Sequence, residues 1–149
     1  MGKGKATLEV GADGVAVITI VNPPVNSLSL DVLYSLKDCY EEVMRRNDVK
    51  AIVVTGSSGK FSGGFDISAF SAIQGGKSGQ PNADFISIDF ITNIVEGGKK
   101  PSVAAVDGLS LGGGLEIAMA CHARISTLNV QLGLPELQLG VIQDLEVHF

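Results

Sequence analysis

Residues 102–120 read SVAAVDGLSLGGGLEIAMA, and this stretch decides the fold. A short apolar run typical of a buried strand leads into three glycines, Gly112 to Gly114, and an apolar helical pattern continues over residues 112–120. The first amides of a helix lack partners within the helix, and the helix dipole adds positive potential there. The stretch therefore predicts an α/β fold whose strand–helix corner can hold an oxygen that becomes negatively charged. Alternatively, the glycines only let the helix pack closely on the strand.

The apolar pattern elsewhere predicts strands that alternate with helices. Residues 11–14 indicate a hairpin turn, and Ser29 is expected to cap a helix that ends near Asn47. The predicted strands are residues 7–10, 15–20, 51–54, 102–106 and 123–127, and the last of these is expected to be a core strand. A further helix, between residues 54 and 102, is marked by Phe85, Ile88, Ile91 and Val95. Such alternation is typical of parallel strands joined by right-handed crossovers. The glycine-rich loops 56–66 and 107–114 then fall at the carboxyl ends of strands, where sites of such folds lie.

Composition narrows the class of protein. The chain has 149 residues, is 45% hydrophobic and 18% charged, and carries a net charge of −5, which suits one globular domain and argues against nucleic-acid binding. Cys39 and Cys121 are in no metal-ligand or CxxC spacing and are expected to be free, mostly buried thiols. No apolar run has the length of a membrane span and no signal peptide is evident, so we expect a soluble intracellular protein.

The second glycine-rich loop reads FSGGFD at residues 61–66. Gly63 and Gly64 allow a close approach of the backbone, and Phe65 after them can present an N–H group. The alternative is an ordinary loop in which Asp66 caps a following helix.

Two carboxylates accompany these loops. Glu116 falls in the first turn of its predicted helix, where it is either a catalytic group or a surface charge that compensates the helix dipole. Glu136 lies in GLPEL at residues 133–137, where neighbouring leucines would partly desolvate it and suit it to proton transfer. The alternative for Glu136 is a solvated turn residue.

Two further patterns resemble known motifs. Residues 56–60, GSSGK, have glycines too closely spaced for a phosphate-binding P-loop and lack its Ser/Thr. Residues 108–112, GLSLG, match the GxSxG nucleophile elbow, so a serine hydrolase using Ser110 is an alternative function. A triad needs an acid and then a histidine downstream, and only His122 and His148 follow Ser110, which weighs against it.

Together, FSGGFD, LGGGLE and the later LPE resemble the crotonase, or enoyl-CoA hydratase/isomerase, superfamily in sequence, order and spacing. The stretches FSGGFDI and GLPELQLGVI are most similar to the N-terminal hydratase domains of plant peroxisomal multifunctional fatty acid β-oxidation proteins. The resemblance implies an α/β fold, the crotonase-like ββα spiral. It also implies hydration of trans-2-enoyl-CoA to 3-hydroxyacyl-CoA, with isomerase activity as a further possibility. The location that it implies is peroxisomal, and the alternative is cytoplasmic.

The resemblance assigns roles residue by residue. It makes the backbone N–H groups of Phe65 and Gly113 the oxyanion hole, and Glu116 and Glu136 the catalytic acids; because both acids are present, it favours a hydratase. The substrate's CoA moiety is expected to lie along Ser62, Gly63, Gly64, Phe65, Asp66 and Ile67. An acyl-CoA thioester is the expected partner, and no metal or separate cofactor is implied, since CoA belongs to the substrate.

The resemblance ends near Ile142. Residues 1–142 are expected to form the N-terminal part of a crotonase-like domain, with residues 143–149 a tail that does not resemble the family. We expect such a truncated domain to fold poorly, to be a weak catalyst and to have compromised oligomerisation. The alternative function is a form that only binds CoA esters or a longer sibling chain.

Overall fold

The computed structural model describes residues 3–65 and 88–134. In chain order, the strands there are β1 (Lys5–Val10), β2 (Val15–Val21), β3 (Ala51–Gly56), β4 (Ser102–Val106), β5 (Leu109–Leu111), β6 (Ala123–Ser126) and β7 (Gln131–Gly133). The helices are α1 (Leu30–Arg45), α2 (Ile88–Gly97) and α3 (Gly113–Ala120).

Five of these strands form one mixed sheet in the order β1-β2-β3-β4-β6. β1 runs antiparallel to β2, whereas β2, β3, β4 and β6 are parallel to one another. β5 and β7 form a separate parallel pair beyond the carboxyl end of β4. The carboxyl ends of β2, β3 and β4 therefore lie along one edge of the sheet, and the loops that follow them are neighbours.

The core lies between one face of the sheet and the helices. Alternate residues of β2 and β3, such as Ile18 and Ile52, are fully buried, because successive side chains of a strand point to opposite faces. Helix α1 buries the stripe that its sequence period requires: Val32, Leu33, Leu36, Tyr40 and Val43. Ser29 caps α1 by accepting a hydrogen bond from the Val32 N–H at 3.3 Å.

Most of the predicted elements are confirmed, and two points differ. The hairpin, the capped helix and the parallel strands lie where the sequence places them, apart from element ends and Phe85, which is outside the described residues. The short strands β5 and β7 were not predicted, because three residues carry too little pattern to distinguish them from a loop. The expectation that residues 123–127 form a core strand is wrong in its burial: β6 is the edge strand of the described sheet, and its four residues are all exposed.

The two cysteines are free, as expected, with Cys121 buried and Cys39 half-buried. Burial raises the pKa of the Cys121 thiol to about 11, although Ser102 and Arg124 act in the opposite direction. The thiol therefore stays protonated near neutral pH and contributes to packing. Among the described helices, none has the length and apolar character that crossing a bilayer requires.

At the edge of the sheet where β4 begins, a lysine side chain bonds to backbone carbonyls of α1 and the residue after it. Lys100, just before β4, donates from Nζ to the carbonyls of Val43 at 2.6 Å and Arg46 at 2.5 Å. These carbonyls lie at the end of α1, where helical carbonyls lack partners and a cation is favoured. A residue distant in sequence thus caps α1 and fixes the helix against the sheet.

We predict that Lys100→Met lowers the free energy of unfolding by about 1–3 kcal/mol, because two hydrogen bonds from a charged donor are lost at once. Urea denaturation measures the change. The neighbouring exposed Lys99 supplies the matched control, and Lys99→Met should alter stability by no more than about 0.5 kcal/mol. Equal midpoints for the two variants would contradict the role of Lys100.

Candidate active site

The two glycine-rich loops meet beyond the carboxyl ends of β3 and β4. The Ser62 N–H donates to the Leu109 carbonyl at 3.1 Å, and the Leu111 N–H donates to the Ser62 carbonyl at 3.0 Å. Ser62 thereby forms a parallel bridge with Ser110. The Phe61 N–H also donates to the carbonyl of Asp107 at 2.9 Å. The loop after β3 is therefore fixed against β5, which leads directly into α3.

Glycines at two positions allow this contact. Gly64 has φ +93°, and a Cβ there would lie 2.7 Å from the Leu111 oxygen and 3.5 Å from the Gly113 nitrogen. A Cβ at Gly114 would lie 2.7 Å from the Ser62 oxygen. Contacts shorter than about 3 Å are not tolerated, so only glycine lets this loop lie against the start of α3. The sequence expectation that glycines permit a close backbone approach is confirmed at both loops.

The start of α3 is open in the way that the sequence predicts. Its N-cap residue is Gly112, which has φ 51° and offers no side chain to accept a hydrogen bond. The Gly112 N–H itself donates to the Gly133 carbonyl of β7 at 2.9 Å, which fixes the orientation of the helix start. Among hydrogen bonds between described residues, none is donated by the next amide, that of Gly113. This amide points along the positive end of the helix dipole.

The predicted site residues fall into two groups. The described members are Ser62, Gly63, Gly64, Phe65, Gly113 and Glu116. Of the first four, Ser62 and Gly64 approach the start of α3, whereas Gly63 lies against Val25. Phe65 forms a parallel bridge with Leu28 and is partly buried against the core. Asp66, Ile67 and Glu136 lie outside the described residues, as does the proposed boundary at residue 142.

Glu116 lies in the first turn of α3, as predicted. Only 9% of the residue is exposed, so the alternative of a solvated surface charge does not hold. A carboxylate so nearly buried requires compensation, and the amino-terminal end of a helix favours a negative charge. The first turn of α3 therefore carries both a buried acid, Glu116, and the Gly113 amide, which donates to no described residue.

Ser110 does not have the geometry of a nucleophile. It is fully buried within β5, and its Oγ has no hydrogen-bond partner among the described residues. The histidine that the hydrolase alternative would use, His122, instead places its Nδ1 3.1 Å from both the N–H and the Oγ of Ser102. Ser102 begins β4, at the end of the strand opposite to the glycine-rich loops. The GLSLG match therefore reflects a strand that leads into a glycine corner.

The sequence interpretation missed the segment between β2 and α1. It gave Asn26 no role, yet Asn26 is 1% exposed and bonded to the loop after β3. Asn26 has φ 54°, a conformation in which Asn is enriched among non-glycine residues. An asparagine between Val25 and Ser27, two residues after a Pro-Pro pair, was the available signal.

Comparison with known proteins agrees with this architecture. The model of the enoyl-CoA hydratase/isomerase family matches residues 11–149, and the chain belongs to this family. It is 71% identical over 140 residues to the glyoxysomal fatty acid beta-oxidation multifunctional protein MFP-a of Cucumis sativus, which covers 94% of this chain and 19% of that protein. The peroxisomal bifunctional enzyme of Homo sapiens is 38% identical, over 87% of this chain and 17% of its own length.

Solved structures give the same fold. An enoyl-CoA hydratase/isomerase from Marinobacter aquaeolei superposes with a TM-score of 0.81 at 28% identity, covering 93% of this chain and 55% of its own. The enoyl-CoA hydratase of Thermoplasma volcanium superposes with a TM-score of 0.78 at 28% identity, covering 91% and 53%. The chain thus spans about a fifth of the plant multifunctional protein and about half of these structures. The mixed α/β fold expected from the crotonase resemblance is confirmed.

We predict that Gly64→Ala destabilises the chain by about 1–3 kcal/mol, because the new Cβ meets the Leu111 carbonyl and the backbone is left-handed there. Gly97, the last residue of α2, is the matched control, since a Cβ there meets nothing within 4 Å. Gly97→Ala should be neutral or slightly stabilising. Urea midpoints that fall equally in both variants would contradict the close contact at Gly64.

We also predict that Ser110→Ala leaves the free energy of unfolding unchanged or raises it by up to about 1 kcal/mol, because it removes a buried hydroxyl without a partner. Ser62→Ala is the comparison, because the Ser62 hydroxyl is equally buried but makes two hydrogen bonds, at 2.7 and 3.1 Å. That variant should lose about 1–3 kcal/mol. A fluorophosphonate probe should not label the protein, and stoichiometric labelling of Ser110 would restore the hydrolase hypothesis.

Proposed function

We propose that this chain carries the acyl-CoA site of an enoyl-CoA hydratase that acts in fatty acid β-oxidation. One observation carries the proposal: the loop containing Gly64 is fixed against the uncapped start of α3, with the buried Glu116 one turn further on. Membership of the enoyl-CoA hydratase/isomerase family supports it. The names of the plant relatives, which are fatty acid beta-oxidation proteins, support it further.

The oxyanion hole is proposed to consist of the backbone N–H groups of Phe65 and Gly113. The thioester oxygen accepts both hydrogen bonds and gains negative charge as the substrate becomes enolate-like. Each preorganised donor of this kind contributes about 10²–10³ in rate. The 3.5 Å between a Cβ position at Gly64 and the Gly113 nitrogen supports the pairing, because Phe65 follows Gly64 directly. The positive end of the α3 dipole acts in the same sense.

The acid–base chemistry is proposed to use Glu116 and Glu136. Glu116, ionised, takes a proton from a water as the water oxygen forms its bond to C3. The C2–C3 π electrons move into the thioester, and Glu136, protonated, then supplies a proton to C2 as the enolate collapses. Water is thereby added across the double bond, giving 3-hydroxyacyl-CoA. A site with both acids favours hydration over isomerisation alone, since isomerisation needs one group to move a proton.

The substrate's CoA portion is proposed to lie along residues 62–67, where glycines leave the backbone accessible. CoA is part of the substrate in this reaction. The relatives from Cucumis sativus and Arabidopsis thaliana are named glyoxysomal and peroxisomal proteins, and we propose a peroxisomal location on that basis. The two glutamates, the amide pair, the CoA path and the domain boundary at residue 142 are all part of this proposal.

We predict that Glu116→Gln lowers kcat for crotonyl-CoA hydration by about 10²–10⁴, because a positioned acid–base group is removed while the shape of the side chain is kept. Glu136→Gln should have an effect of similar size. The loss of absorbance of the conjugated thioester measures hydration, and calorimetric titration with butyryl-CoA, which has no double bond to hydrate, measures binding. Butyryl-CoA affinity should change less than threefold in either variant.

Glu41, which is exposed on α1 and forms an ion pair with Lys37 at 3.3 Å, supplies the control. Glu41→Gln should leave both turnover and binding unchanged. Near-normal turnover in Glu116→Gln or Glu136→Gln would remove that residue from the mechanism. A chain that binds butyryl-CoA but does not hydrate crotonyl-CoA would support the alternative of a form that only binds CoA esters.

A further inference from the structure

The side chain of Asn26 makes four hydrogen bonds. Its Nδ2 donates to the carbonyls of Ser57 at 3.0 Å and Lys60 at 2.9 Å. Its Oδ1 accepts from the Asn22 N–H at 3.0 Å and from the Ser57 hydroxyl at 3.2 Å. The carboxamide therefore uses both donors and both acceptor positions in a site that is 1% exposed.

The backbone on either side of Asn26 holds the next part of the same loop. The Gly63 N–H donates to the Val25 carbonyl at 2.7 Å, and the Leu28 N–H donates to the Gly64 carbonyl at 2.8 Å. Between them, the Ser62 hydroxyl donates to the Asn26 carbonyl at 2.7 Å and accepts from the Gly64 N–H at 3.1 Å. We call residues 22–28 the Asn26 brace. It bonds to Ser57, to Lys60 and to residues 62–64.

The loop after β3 is thus held from two sides. Ser62 pairs with Leu109 and Leu111 on one side, and the brace holds residues 62–64 on the other. Gly64 lies so close to the chain that leads into α3 that a Cβ there would be 2.7 Å from the Leu111 oxygen. An oxyanion hole works only when both donors reach one oxygen at about 2.7–3.1 Å, and supporting residues must hold such a site to within about 0.5 Å.

We propose that Asn26 is a positioning residue, which holds residues 62–65 where the Phe65 and Gly113 amides can bond one thioester oxygen. This inference rests on the proposed hydratase function. Asn26 touches neither substrate nor reacting atoms in that function; it acts through the loop. Its φ of 54° also suits asparagine, because the left-handed region is costly for most residues.

No other common residue meets both requirements. Glycine adopts the backbone conformation readily but has no carboxamide. Aspartate has no donors, and its carboxylate would face the carbonyls of Ser57 and Lys60. Asn26→Gly therefore removes the four side-chain bonds and keeps the backbone, which separates the role of the side chain from that of the turn.

The test measures polarisation of a bound carbonyl together with turnover, in the 149-residue chain. Butyryl-CoA labelled with ¹³C at the thioester carbonyl reports the strength of the two amide hydrogen bonds, because stronger bonds lower the carbonyl stretching frequency. In Asn26→Gly this lowering should fall by at least half, and kcat for crotonyl-CoA should fall about 10–10²-fold. KM should change less than threefold.

Two further variants separate positioning from stability. Lys100→Met loses two hydrogen bonds at the opposite edge of the sheet and should leave the carbonyl frequency and kcat unchanged. Ser57→Ala removes one of the four bonds to Asn26 and should give a smaller loss of carbonyl shift and of kcat, of about two- to fivefold. Ser57→Ala also tests the inference if Asn26→Gly fails to fold.

Each outcome of these measurements supports or overturns one of the two proposals. An unchanged carbonyl frequency and kcat in Asn26→Gly, or in Ser57→Ala where the first variant does not fold, overturns the positioning role and leaves the proposed function standing. The same losses in Lys100→Met would show a general effect of stability and overturn it too. A parent chain that neither shifts the carbonyl frequency nor hydrates crotonyl-CoA overturns the proposed function itself.

Discussion

The site depends on one interaction, the backbone pairing of Ser62 with Leu109 and Leu111. Together with the bond from the Phe61 N–H to the Asp107 carbonyl, this pairing joins the loops after β3 and β4. It brings the start of α3 and the residues around Gly64 into one corner. Backbone pairing requires close approach, and close approach requires the missing side chains of Gly64 and Gly114. The glycines are therefore a steric condition for the corner, whatever ligand it holds.

A corner made of loops needs support, because loops bring few apolar contacts of their own. The parallel sheet supplies the frame, since β2, β3 and β4 end at the same edge. Polar bonds fill the space between the loops, with Asn26 satisfied at all four positions. Buried polar networks that are fully satisfied rigidify a structure. The site thus combines an apolar frame with a polar brace.

The pattern of apolar residues predicted the helices and most of the strands, and the order of strand, glycines and helix predicted the start of α3. The period of the apolar residues located α1, and the strand–glycine–helix order located Gly113 and Glu116. Tertiary pairing was not predictable in this way: β5 is three residues long, and its partner is distant in sequence. The exposure of β6 depends on its place at the edge of the described sheet, which no local pattern reveals. Asn26 was missed because its bonds are all to backbone or to distant groups.

Positive φ angles are distributed unevenly between the two edges at which the parallel strands begin and end. They occur in the described residues at Gly14, Asn26, Ser58, Gly59, Gly64, Gly108 and Gly112. All but Gly14 follow the carboxyl ends of β2, β3, β4 or β5. The opposite edge is instead held by side-chain bonds to regular elements, such as that of Lys100 to the end of α1. Glycine adopts positive φ readily, but at Asn26 and Ser58 it is costly and persists only where surrounding contacts enforce it. The edge that carries Asn26 and Ser58 is therefore the one whose backbone geometry the neighbouring contacts maintain.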